Sequence, residues 1–345
     1  MKALVTGATG FIGSSLVREL LADGAEVRVL LRKSSDTKTI DGLDDVERVY
    51  GDVCDETSME AALKGRDTFF QVAALYDFWG PSKQEYYRVN VDGTRACLNA
   101  AMCSNVEKVV HTSSIGALGG HGKEHPGNED SIFNLWKTGA HYCISKHLAE
   151  VEVLNYAKQG LPVVVVNPGT VIGIRDIRPT PSGRNVIDVL HGRMPAYLDG
   201  GINYVDVEDV AAGHILAAKK GRVGEKYILG NTNLSMKEFM CMVAEVGEVK
   251  APHMRLPYRA VLLTAYFYGI VAALTRKPPV VTPAVVRIAH KYMYYDASKA
   301  VRELGLPQTP MKKTFEKAVQ WFRENGYAKQ PAKAHAVAGA PTRHK

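Results

Sequence analysis

Tyr142 and Lys146 lie four positions apart in the run Tyr142-Cys143-Ile144-Ser145-Lys146. On a helix that spacing puts both side chains on one face. A free phenol titrates near pH 10, too high for acid–base work at neutral pH, and a neighbouring ammonium lowers it by favouring the phenolate. The pair therefore suits proton exchange with a carbonyl or an alcohol, although a helix-surface pair has the same spacing. Ser113 and Ser114 close a preceding strand. A hydroxyl there can hold a substrate oxygen or cap the next turn. Near the N-terminus, Thr6-Gly7-Ala8-Thr9-Gly10-Phe11-Ile12-Gly13 has the pattern G-x-x-G-x-x-G. Glycines there allow a tight turn and let backbone N–H groups approach a pyrophosphate at a helix N-terminus.

The surrounding elements decide how such patterns are read. The glycine loop follows a short apolar strand, Ala3–Thr6, and opens a helix, Phe11–Ala22, stopped by Gly24. That context marks a dinucleotide site rather than a glycine-rich turn. The next strand, Glu26–Leu31, runs into Arg32-Lys33 where NAD enzymes carry an acid for the ribose 2′-hydroxyl. An arginine there pairs with a 2′-phosphate, so NADP is the expected cofactor. Asp36 is near enough to keep NAD open, and solvated loop charges are the plainer reading of Arg32 and Lys33.

Further strands are expected at Val46–Tyr50, Asp67–Leu75, Lys108–Ser113 and Val163–Val166, with helices at Thr57–Leu63, Gln84–Cys103 and Leu135–Lys158. The unbroken β-branched run at 163–166 fits a strand buried on both faces. Repeated βα units predict an α/β fold, a doubly wound parallel sheet of the Rossmann type. After Asn167 the rhythm stops. Residues 1–167 are expected to form the NADP-binding domain. Residues 168–327 should form a smaller mixed α/β substrate lobe, interleaved with it and holding helices at Ser235–Val246 and Lys313–Asn325.

Composition narrows the class. The 345 residues are 46% hydrophobic and 23% charged, as in an ordinary globular chain. The five cysteines are scattered without a C-x-x-C, which fits reduced thiols and a cytoplasmic protein. No secretory signal is expected. Residues 328–345 supply +4 of the net charge of +7. That is the composition of a disordered basic tail, and it leaves little charge to suggest a nucleic-acid partner. No histidine or cysteine spacing indicates a metal.

The glycine loop, Ser114, Tyr142 and Lys146, in this order, resemble the extended short-chain dehydrogenase/reductases over about residues 1–327. Val72-Ala73-Ala74, Asn90-Val91-Asp92-Gly93-Thr94, Asn167-Pro168-Gly169-Thr170 and Tyr204–Val210 also match, as does Asp296-Ala297-Ser298-Lys299-Ala300. The chain is most similar to the dihydroflavonol 4-reductase-like branch. The stretch from Arg175 to Pro195-Ala196-Tyr197 is similar to hopanoid-associated sugar epimerases. The resemblance implies that Ser114 binds the substrate carbonyl, that Tyr142 donates the proton, and that Lys146 holds the nicotinamide ribose. It places Asp52 and Val53 at the adenine. It implies dinucleotide contacts from Val72, Ala73, Ala74, Asn90, Thr112, Ser113, Pro168, Gly169 and Thr170. It also implies a homodimer paired through the helices near Gln84–Cys103 and Leu135–Lys158.

Within this resemblance the expected activity is reduction of a ketone or aldehyde on a small or lipid-like substrate. Sugar-nucleotide epimerases of the family carry an arginine shortly before the segment at Tyr204, where it grips a diphosphate; Asp199-Gly200-Gly201-Ile202-Asn203 contains none. Arg175, Arg178 and Arg184 can still bind an anionic group, or simply be solvated, so an epimerase stays as the alternative. A non-enzymatic NADP sensor is the third reading. The apolar segment Ala260–Thr275, flanked by Arg255, Arg259, Arg276 and Lys277, reads as a buried helix of the small lobe or as one lying on a membrane surface.

Overall fold

The computed structural model describes residues 1–76, 81–275, 279 and 281–329. Arg276, Lys277 and residues 330–345 of the expected tail lie outside them. The strands are β1 (Lys2–Thr6), β2 (Glu26–Leu31), β3 (Val46–Tyr50), β4 (Thr68–Gln71), β5 (Lys108–Thr112), β6 (Val163–Pro168), β7 (Thr170–Ile172), β8 (Ala196–Tyr197), β9 (Gly201–Asp206), β10 (Lys226–Leu229), β11 (Thr232–Ser235), β12 (Met254–Arg255) and β13 (Tyr292–Met293). The helices are α1 (Phe11–Ala22), α2 (Glu56–Leu63), α3 (Lys83–Tyr87), α4 (Gly93–Met102), α5 (His141–Lys158), α6 (Pro181–Leu190), α7 (Val207–Lys220), α8 (Met236–Val246), α9 (Tyr258–Thr275), α10 (Pro283–Ala289), α11 (Ser298–Leu304) and α12 (Met311–Glu324).

Seven strands form a parallel sheet in the order β10-β6-β5-β4-β1-β2-β3. The pleat sends successive side chains to opposite faces. Ala3 and Val5 of β1, with Val164 and Val166 of β6, pack into the core under α1, α7 and α11. Leu4, Val163 and Val165 pack into the other core, under α2, α4 and α5. Both faces are covered, so β-branched residues run without alternation. The chain order reverses between β1 and β4, which opens a crevice at the C-terminal ends of the strands.

Strand β10 returns from the half after residue 167 and pairs with β6. Helix α7, packed against α1, returns with it. Strand β9 ends at Asp206, whose carboxylate caps α7. The smaller sheet, β7, β9, β11 and β13, packs on α6, α8 and α12 around the stacked rings of Tyr204 and Phe239, 4.9 Å apart, with Phe315 beside them.

Three expected elements change length. The strand over 67–75 stops at Gln71, and the following backbone forms a wall of the crevice. The helix over 84–103 is interrupted by a π-helical turn, Arg88–Asp92. The helix over 135–158 starts only at His141, because Gly139 takes a positive φ of 78°. Helix α9 is not a buried helix: only Ala265 and Ala272 are buried.

Candidate active site

The crevice is a cavity of about 580 Å³ running from the ends of β2 and β3, across β1, to the ends of β5 and β6. Its floor is the glycine loop. Gly7 has a φ of 69°, and a Cβ on it would lie 2.7 Å from the Ala73 nitrogen. A Cβ on Gly13 would lie 2.2 Å from the Gly7 carbonyl oxygen. The loop and α1 therefore touch backbone to backbone. Gly10, the N-cap of α1, offers no side-chain acceptor to the first N–H groups of the helix. Backbone donors and the positive end of the helix dipole are left for an anion. The loop thus fits a dinucleotide pyrophosphate.

At the β2 end, Arg32 is exposed at the cavity rim, with Ser35, Asp36, Lys38 and Arg178 around it. Asp36 is already engaged. Its carboxylate accepts from the Lys38 N–H at 3.2 Å and pairs with Arg178 at 2.9 Å, and these contacts hold its carboxyl below the usual range. Lys33 does not line the cavity, and Lys38 stands there instead. Asp52 and Val53 line the same end, with Asp52 accepting from the Cys54 N–H.

At the other end lie Ser114, Tyr142 and Lys146. Ser113 and Ser114 divide their roles. The Ser113 hydroxyl points into the protein and donates to Glu150 at 2.6 Å. Ser114 caps the next turn by accepting from the Gly116 N–H at 3.1 Å, and it also hydrogen-bonds Tyr142. Burial pushes the Tyr142 phenol above its ordinary pKa, and the Ser114 hydrogen bond opposes this. The sequence reading expected an ammonium to lower it, but desolvation wins here. The Tyr76 ring packs on Tyr142 with centroids 4.8 Å apart.

Lys146 is buried and donates to the Thr112 carbonyl oxygen at 2.7 Å. Burial lowers its pKa to about 8, against the pull of Glu150. Glu150 is itself buried and accepts from the Asn167 amide at 2.6 Å, with Lys226 at 3.5 Å. Sequence reasoning missed Glu150, although it continues the Tyr142–Lys146 stripe one turn further along α5. It also missed Tyr76, Lys38 and Asp176, which is buried and has its pKa raised to about 6.

Other expected contacts fall out differently. Val72, Ala73, Ala74, Thr112, Pro168, Gly169 and Thr170 line the cavity. Asn90 does not. It is buried in the π turn, donating to the Ser145 hydroxyl and the Leu75 carbonyl and accepting from the Leu75 N–H. It ties the loop after β4 to α5, so it positions rather than binds. Arg184 also leaves the cavity, its Nε donating to the Pro179 carbonyl. Arg175 stays, but close enough to Arg18 of α1 for their charges to interact. With Arg178 fixed to Asp36, these arginines gather toward the β2 end rather than around Tyr142. Of the two arginines expected at the substrate, Arg175 lines the cavity and Arg184 does not. Beyond Tyr142 the lining turns apolar, with Ile202, Ile288 and Met293.

Residues 3–230 match the model of the NAD dependent epimerase/dehydratase family. The chain belongs to this family. It is an extended short-chain dehydrogenase/reductase, an NAD(P)-dependent oxidoreductase of the dihydroflavonol 4-reductase-like branch. A Synechocystis sp. protein bearing the name of a dihydroflavonol 4-reductase is 40% identical over 329 residues, covering 94% of this chain and 95% of that protein. Sterol demethylase protein B of Methylococcus capsulatus is 36% identical over 328 residues, covering 94% and 99%. The crystal structure of gox2253 superposes with a TM-score of 0.85 at 38% identity, covering 95% and 99%.

Proposed function

We propose that this short-chain dehydrogenase/reductase uses NADPH to reduce a ketone or aldehyde on a small or lipid-like substrate. The observation that carries the reading is the Tyr142 phenol. It is kept protonated by burial, bonded to Ser114, and faces an apolar pocket end. A protonated phenol is the form that carbonyl reduction needs. The nicotinamide supplies the hydride when bound. Ser114 holds the carbonyl oxygen, and Tyr142 delivers the proton to it. Lys146, anchored on the Thr112 carbonyl, keeps a positive charge one helical turn from the phenol that loses that proton.

Arg32, Lys38 and an Asp36 already paired with Arg178 support NADP over NAD, because the acid that follows β2 is engaged by an arginine. An epimerase of sugar nucleotides needs a cation at the far end for a second diphosphate, and the arginines gather at the near end instead. The Methylococcus relative's name speaks of a sterol, which supports a lipid-like substrate. Exposed Met102 on α4 and Val151 on α5 support pairing of two copies through those helices. Five free cysteines support a reducing, cytoplasmic setting.

The test follows NADPH and NADH oxidation separately over a panel of hydrophobic ketones and aldehydes, with sugar nucleotides assayed for isomers in parallel. Tyr142→Phe should lower kcat by about 10²–10⁴-fold with NADPH affinity retained. Isomerised sugar without net NADPH use would replace this reading by the epimerase.

A further inference from the structure

Helix α9 is inverted relative to a core helix. Its two buried residues, Ala265 and Ala272, lie seven positions apart and share one side. Leu263, Phe267, Ile270 and Leu274 recur at i, i+4, i+7 and i+11, a stripe about 180° away, and all four are exposed, Leu263 by 71% and Leu274 by 80%. The helix has 18 residues with a mean hydropathy of 1.3, and 11% of it is buried. A contiguous apolar stripe of this kind on a folded protein marks a contact surface.

Charge identifies the occupant. From Val249 to Tyr295 the sequence has no Asp or Glu and seven Lys or Arg. Arg259 falls on the same side of α9 as the apolar stripe. Arg255 at its approach is partly neutralised by Asp199. Basic residues around an apolar stripe fit an anionic headgroup layer over acyl chains. The same charge opposes pairing of this face with a second copy of itself.

The packing of α9 favours lying along such a layer over crossing it. The helix is fastened to the body of the protein. The Tyr258 ring stacks on His290 at 4.2 Å, Arg287 donates to the Tyr266 hydroxyl, and α10 packs along α9. Crossing would require all of these contacts to open.

Helix α10 also joins this face to the reaction cavity. Its Ile288, with Met293 of β13, lines the cavity. We propose that α9 docks in the plane of an anionic bilayer surface and sets the apolar mouth of the cavity, at Ile288 and Met293, against the lipid. The substrate class is then a carbonyl compound drawn from the membrane. That last clause rests on the reductase reading, whereas the docking does not.

The experiment floats the full-length protein with phosphatidylcholine vesicles, with and without phosphatidylglycerol, at low and high salt, in the absence of cofactor and substrate. Wild type should float with the anionic vesicles at low salt and be released as salt rises. Leu263→Ser/Phe267→Ser/Ile270→Ser should partition at least about tenfold less, with unchanged melting by circular dichroism. Arg259→Glu should cost about fivefold or more on anionic vesicles. If the triple variant does not fold, Phe267→Trp is used, and the emission it adds to that of wild type should shift to the blue on anionic vesicles. Wild type that ignores anionic vesicles, equal flotation of the triple variant, or unshifted emission from the introduced indole overturns the proposal. So does a triple variant whose only effect is to halve the sedimenting mass, which would show a second copy on this face. A protein that floats but never oxidises NADPH overturns the reductase reading alone.

Discussion

At the scale of single residues, the proton-handling groups are tuned by burial rather than by one another. Lys146 has its pKa lowered from 10.5 to about 8, with burial as the cause and Glu150 working against it. The lysine is cationic below that value, so activity that needs the ammonium is full at lower pH and lost as pH rises through about 8. Stability moves oppositely. Between about pH 8 and 10.5 the unfolded chain binds the proton that the folded chain has released, so this group's contribution to stability rises across that window. Activity should therefore fall there while the melting temperature does not follow it down on this account. Glu150→Gln keeps the shape but removes the opposing charge. Its kcat/KM profile should lose activity at a lower pH than wild type, and an unchanged alkaline limb would show that Glu150 does not tune Lys146.

Arg32 makes the second prediction at this scale. A charge-assisted contact to a phosphate is worth about 1.5–3 kcal/mol, so Arg32→Ala should raise KM for NADPH about 10- to 100-fold and barely move KM for NADH. Arg178→Ala should release Asp36 and improve use of NADH. The two KM values measured side by side check both.

Among the elements, the junction of β1, the glycine loop and α1 tolerates least change. The Gly13 Cβ position is 2.2 Å from the Gly7 carbonyl, so Gly13→Ala must push the helix off the loop. Overpacking of that kind costs about 1–3 kcal/mol, and here it also displaces the backbone donors. A lowered melting temperature together with at least tenfold weaker NADPH binding is expected, by calorimetry and fluorescence titration. This junction was legible from sequence because strand, glycine spacing and helix follow one another without interruption. The bounds expected for α1, β2 and β3 agree with those observed. The helix over 84–103 was less legible. The π turn at Arg88–Asp92 is enforced by Asn90, whose partners Leu75 and Ser145 are distant in sequence. Arg175 and Arg184 read alike in the sequence because their chemistry suits anions, but Arg184 bonds the Pro179 carbonyl outside the cavity, which spacing alone does not reveal. Helix α9 has the composition of a core helix, and only its packing shows that Ala265 and Ala272 are the buried side.

On the scale of the whole molecule, the sheet does not end where the βα rhythm does. The core beneath α1 draws Val205, Val207, Val210 and Ala211 from β9 and α7, Tyr227 and Leu229 from β10, and Ala300 and Leu304 from α11, all from beyond residue 167. Strand β10 also pairs with β6, whose partner on the other side is β5. A chain ending at residue 167 would leave the edge of β6 open and strip α7 and α11 from this face of the sheet. An exposed edge and a large apolar face both promote association. That fragment should be insoluble, or collapsed with dye-binding apolar surface and no fixed near-ultraviolet circular dichroism. A chain ending at residue 329 keeps every contact named here and should melt with the full-length temperature. If the 1–167 fragment instead melts cooperatively and binds NADPH with full affinity, the cofactor domain is self-sufficient, and the later strands serve only the substrate side.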